Sequence, residues 1–71
     1  MRYFTVEISV VSGVTAQAVF SRDDYNAAMA AYHLFMSSSM SNTDCTEALC
    51  MVIDSDGGIY RNERWERNNN E

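Results

Sequence analysis

Apolar and polar residues alternate with a period of two along the first part of the chain. In YFTVEISVV, residues 3–11, Phe4, Val6, Ile8 and Val10 share one face and Tyr3, Thr5, Glu7, Ser9 and Val11 the other, which predicts a half-buried strand. Ser12–Gly13 is a tight hairpin signal, and residues 14–20, VTAQAVF, alternate again with Val14, Ala16, Ala18 and Phe20 on one face. The period then changes. The stretch YNAAMAAYHLFM predicts a helix over residues 22–40, with Ser21 as its N-cap and Asp24 as the capping-box acid. Asp23 and Asp24 suit the positive end of that helix, Phe20 and Tyr25 form a hydrophobic staple, and Asn42 ends it.

Residues 45–53, CTEALCMVI, form an apolar strand, and DSDGG at 54–58 is a hairpin connection that pairs Ile53 with Ile59 and Val52 with Tyr60. IYRNERW, 59–65, is the return strand. Residues 66–71 have nothing to bury and are expected to be a mobile tail, leaving one domain over 1–65. The order ββαββ predicts an α+β fold, a four-stranded antiparallel sheet with one helix packed on one face. The pattern leaves open the strand order and the face that the helix covers.

The apolar surface exceeds what one helix can cover. At about 100° per residue, Tyr25, Met29, Tyr32, Met36 and Met40 cluster on the side expected to meet the sheet, with Ala28, Phe35 and Ser39 at its margin. Ala27, Ala30, Ala31 and Leu34 fall on the opposite side. Alanine is the best helix former and tolerates water, so that side can be plain solvated helix; it can also be a close-packing contact face. In the second hairpin one face holds Leu49, Met51, Ile53, Ile59 and Trp65, and the other holds Ala48, Cys50, Val52 and Tyr60. Both are apolar, and monomers seldom leave more than a few hundred Å² of contiguous apolar surface in water. A homo-oligomer, dimer or higher, is therefore expected through Ala27, Ala30, Ala31, Leu34, Leu49, Met51 and Ile53.

Length sharpens that expectation. A core of 71 residues supplies about 3–5 kcal/mol unless something staples it. Cys45 and Cys50, five apart on one strand, are expected on opposite faces and roughly 16 Å apart, too far for a disulfide. Two reduced thiols suit a cytoplasmic setting. One histidine, His33, and no C-x-x-C pair make no zinc site, and no cofactor is expected. The opening MRYFTVEISVV alternates and lacks a small-residue cleavage site, so it is not expected to be a signal peptide, and no apolar run approaches a membrane span.

The net charge is −5, from ten acidic residues against five arginines and no lysine. Direct nucleic-acid binding needs cationic contacts and is not expected; acidic surfaces suit basic proteins. DSDGG resembles the opening of a calcium loop, yet the twelfth position from Asp54 is Trp65 rather than an acid. His33 has no nucleophile or carboxylate beside it on the helix, so no catalytic residue is assigned. In YRNERWER, Arg61, Glu63, Arg64 and Trp65 combine arginine and tryptophan, residues favoured in binding hot spots; charges guarding an edge strand are the plainer explanation. With Asp54 and Asp56 at the turn, these four are the candidate partner-binding residues.

The segments YFTVEISVVSGVTAQAVF, YNAAMAAYHLFMSSSM and LCMVIDSDGGIYRNERW together resemble short uncharacterised accessory proteins of phages and mobile elements of gut bacteria. In size and charge the chain is loosely similar to anti-CRISPR proteins, several of which occlude a nucleic-acid groove with carboxylates standing in for phosphates. The resemblance implies an accessory protein rather than a housekeeping enzyme; with the acidic balance, the missing catalytic constellation and the surplus apolar surface, the chain is expected to bind and inhibit a host defence or nucleic-acid-handling protein with a basic surface. Two alternatives stand beside it. One is an oligomer that binds a nucleotide through Arg2, Tyr60, Arg61 and Arg64; the other is a structural oligomer without ligand.

Overall fold

A computed structural model describes residues 1–67 of the chain. The elements run β1 (Tyr3–Val11), β2 (Val14–Arg22), α1 (Tyr25–Ser41), β3 (Cys45–Asp54) and β4 (Ile59–Glu66). All neighbouring strands are antiparallel, in the order β2-β1-β3-β4, so the expected α+β, ββαββ architecture holds. Ser12 and Gly13 turn the first hairpin with φ of 52° and 81°, the left-handed pair that matches the twist of its strands. No helix among the described residues is long and apolar enough to cross a membrane.

The helix begins later than the sequence suggests. Pairing with β1 runs without a break from Val14 to Arg22, so Ser21 stays in the sheet. Asp24 is the N-cap instead, its Oδ2 accepting from the Ala27 N–H at 3.2 Å. The Phe20–Tyr25 staple does not form. Phe20 packs edge-on against Phe35 at 5.0 Å, and Tyr25 turns toward Tyr3.

The helix lies mainly over β1 and β3, on the face with the smaller side chains. That face carries Tyr3, Thr5, Glu7 and Ser9 of β1 opposite Asp54, Val52, Cys50 and Ala48 of β3. Ala28, Ala31, Tyr32 and Ser39 bury the helix against it. Small residues allow close approach, and the buried Thr5 hydroxyl donates to the Ala28 carbonyl at 2.7 Å. Met40, expected in the contact, is exposed.

Two bulges correct the expected side-chain directions. At Val10/Val11 the register slips by one residue, pairing Val10 with Glu47 and Val11 with Cys45. Cys45 and Cys50 therefore share the helix-covered face, where both are buried and unbridged. At Val52/Ile53, Ile53 pairs with Ile59 as expected, but Val52 pairs with Arg61 and Tyr60 is the extra residue. Everything after Tyr60 is thereby inverted, so Trp65 stands beside Ala48 under the helix and not with Leu49, Met51 and Ile53.

The end of the chain is also better tied than expected of a tail from residue 66. Glu66 closes β4, and the Arg67 N–H donates to the Thr46 carbonyl at 2.7 Å. The rest of the expected tail, residues 68–71, lies outside the described residues.

Candidate interaction surfaces

Three tyrosines from separate elements meet at one end of the molecule. Tyr3 opens β1, Tyr25 opens α1 and Tyr60 is the bulged residue of β4. Their ring centroids are 5.7 Å apart for Tyr3–Tyr25, 5.7 Å for Tyr3–Tyr60 and 5.4 Å for Tyr25–Tyr60. Tyr60 remains 38% exposed, so the cluster offers an aromatic surface to solvent. Asp54 anchors it. Its Oδ2 accepts from the Tyr60 hydroxyl at 2.6 Å, and its Oδ1 accepts from the Asp56 and Gly58 N–H groups at 2.9 and 2.8 Å. Gly58 is needed for this approach, because a Cβ there would meet the Asp54 carboxylate at 2.7 Å.

The Tyr60 hydrogen bond, helped by the turn N–H groups, holds the Asp54 carboxyl below its ordinary 3.8. The same bond, with desolvation, pushes the Tyr60 phenol up to about 12. A carboxylate with a depressed folded-state pKa contributes stability above its unfolded value and loses it as pH falls through the folded one. Wild type is therefore expected to lose more stability than Asp54→Asn on acidification below about pH 4, as read from urea midpoints. Glu7 acts in the opposite sense, since burial raises its pKa and protonation relieves the cost. Glu7 is common to both proteins, so their difference isolates Asp54.

The residues expected to form one contact strip are dispersed. Asp54 is buried in its own turn, while Asp56 is exposed beside it. Arg61 and Glu63 pair with Val52 and Cys50 on the helix side, where Glu63 accepts from the Tyr32 hydroxyl. That bond, then desolvation, pushes the Tyr32 phenol up to about 12. Trp65 donates from Nε1 to Ser39 Oγ at 3.2 Å and lies under the Arg67 guanidinium at 5.2 Å. Arg64 points to the opposite side, bridging Glu47 at 2.7 Å and Glu66 at 3.5 Å. The four residues weighed for a nucleotide are equally scattered, Arg2 and Arg64 lying on the face opposite Tyr60.

The face without the helix is the more aliphatic one. Phe4, Val6 and Ile8 of β1 stand directly opposite Ile53, Met51 and Leu49 of β3, with Val10 opposite Glu47, and exposed Val19 and Ile59 flank them. Burying about 500 Å² of it would contribute roughly 12 kcal/mol before association costs, more than the core of so small a domain supplies. Of the helix residues weighed for an interface, Ala31 lies in the core, Ala27 is half-buried, and Ala30 and Leu34 are exposed. The sheet is therefore the larger unpartnered surface.

A shallow cleft of about 160 Å³ sits under the helix C-terminus, lined by Glu7, Ser9, Ser38, Asn42 and Cys45 among others. Desolvation, then the charge of Glu7, pushes the Cys50 thiol up to about 11, so it is protonated and unreactive at neutral pH. No group of three or more metal-ligating side chains forms among the described residues.

The tyrosine triad is the feature that sequence reasoning missed. Alternation places Tyr60 on the face of Val52, where it is found, but nothing in the sequence brings Tyr3 and Tyr25 beside it. Comparison with protein-family models, curated proteins and solved structures returns no match.

Proposed function

We propose that this chain acts by binding, as a small acidic protein of phage or mobile-element type that inhibits a host defence or nucleic-acid-handling protein in the cytoplasm. The observation that carries this reading is the tyrosine end itself. The rings meet edge-on or tilted, at 59–72°, and Tyr60 stays exposed; an exposed aromatic ring receives guanidinium and ammonium groups, and neighbouring carboxylates accept their hydrogen bonds. Asp24 directly precedes Tyr25 and Asp56 follows Asp54, so exposed carboxylates lie beside the triad. An arginine-rich surface evolved to grip phosphate meets there carboxylates and, in Tyr60, an exposed aromatic ring.

The test is capture of a bacterial protein on the immobilised full chain, followed by affinity measurement with the captured protein. Tyr60→Ala is expected to weaken binding by roughly thirtyfold, the loss typical of an interface hot spot. Asp56→Lys should weaken it further at low salt than at high salt. Capture of nothing, or of a protein that binds both variants as well as wild type, would refute the proposal.

A further inference from the structure

We infer that a second copy of this chain closes the open face of the sheet, as a face-to-face sandwich. Its twofold axis lies between the two sheets and runs across the strands. This inference goes beyond the proposed function and uses the opposite side of the molecule, so either can fail without the other.

Area favours a second copy. Four strands of about nine residues present a face of roughly 30 by 19 Å, or close to 600 Å². Two such faces reach about 1,200 Å², the lower bound of specific interfaces, before side-chain relief is counted. Sheets pack face to face at about 10 Å with strands near −30°, which suits the interdigitation of Val6, Ile8, Leu49 and Met51 with their own copies.

Charge favours it too, and sets the orientation. The open face carries Arg2 and Arg64 against Glu47 and Glu66, which cancel, so the chain's net −5 resides elsewhere. Two copies thus meet through a neutral surface despite their like net charge. Within that surface the charges are polar along the strands. Arg64 alone serves both Glu47 and Glu66 at one corner, leaving one carboxylate in excess. Arg2 stands at the other end, where its Nε donates to Ser21 Oγ at 2.9 Å and no carboxylate among the described residues bridges it. A twofold across the strands reverses their direction and lays Arg2 near the partner's Glu47. A twofold along the strands would bring like ends together. Such an interface is isologous and closed, which limits assembly to a pair.

Sedimentation velocity on the full chain over a micromolar dilution series tests this. Wild type should be a dimer. Ile8→Glu, on the open face and remote from the helix, should give a monomer with unchanged circular dichroism. Arg2→Glu, at an exposed position, should raise the dissociation constant about tenfold at low salt and less at high salt, and it tests the same face if Ile8→Glu does not fold. Leu34→Glu, on the back of the helix, should leave the dimer intact. A folded wild-type monomer throughout the series, or a dimer lost in Leu34→Glu and kept in Ile8→Glu, would overturn the inference. An unaltered dimer in Arg2→Glu would overturn its orientation.

Discussion

Ala28→Leu is expected to destabilise the fold by about 2–3 kcal/mol, the upper part of the range for overpacking a tight core. Ala28 is fully buried and packs with Tyr32, Cys50 and Val52. The helix cannot yield there cheaply, because its Ala28 carbonyl is held by the Thr5 hydroxyl at 2.7 Å. A leucine must either lift the helix and break that bond or displace β3 from its register. For a domain of this size the melting temperature should fall by roughly 10–20 °C. Ala30→Leu, two residues on but exposed, should stay within about 0.5 kcal/mol of wild type. Equal losses in the two variants would mean that the helix contact is not the tight one described.

The second large effect lies at the other end of the helix. Its last turn carries no basic residue of its own. Arg67, just beyond β4, supplies one across space. Its Nη2 donates to the Met40 and Asn42 carbonyls at 3.2 and 3.3 Å, and its Nε to the Cys45 carbonyl at 3.0 Å. These acceptors lie at the negative end of the helix and the start of β3, and the Asn42 N–H caps Ser38 and Ser39. Arg67→Ala is expected to cost about 2–3 kcal/mol, since charge-assisted bonds are lost and the Trp65 stacking with them. Arg67→Lys should recover only part, because an ammonium cannot reproduce the planar fork. Urea denaturation measures the stability, and faster amide exchange in residues 38–41 would locate the loss at the helix end. An alanine variant as stable as wild type would remove Arg67 from the account.

The proposed dimer and a binding role for the tyrosine end are compatible. A twofold across the strands sends the two tyrosine ends to opposite poles, so a pair of chains would present two binding sites to basic surfaces. Linked sites raise avidity without new contacts when the partner is itself repeated or symmetric. Comparing capture by wild type and by Ile8→Glu would separate single-site affinity from that gain.

Much of the fold was readable from periodicity. The strands, both hairpin turns and the helix followed from alternation, from Ser12–Gly13 and DSDGG, and from the change to helical spacing. Asp24 served as the cap where Ser21 was expected, because both are good caps and the length of β2 decided between them. The tyrosine end was not readable, because its members are distant in sequence and lie on three separate elements.

Local chemistry in this chain determined where each strand runs, which residues share a face between bulges, and that more apolar surface exists than one helix covers. Tertiary structure decided what those faces meet. Periodicity relates neighbours along one strand, whereas a bulge resets the relation between strands. Two such resets brought Cys45 and Cys50 onto one face and moved Trp65 under the helix. The covered face was likewise a global outcome. β2 and β3 run parallel on either side of β1, so α1 is a crossover connection, whose handedness is a property of the chain path rather than of side-chain hydrophobicity. The helix accordingly rests on Thr5, Ser9, Ala48 and Cys50, and the aliphatic face is left uncovered.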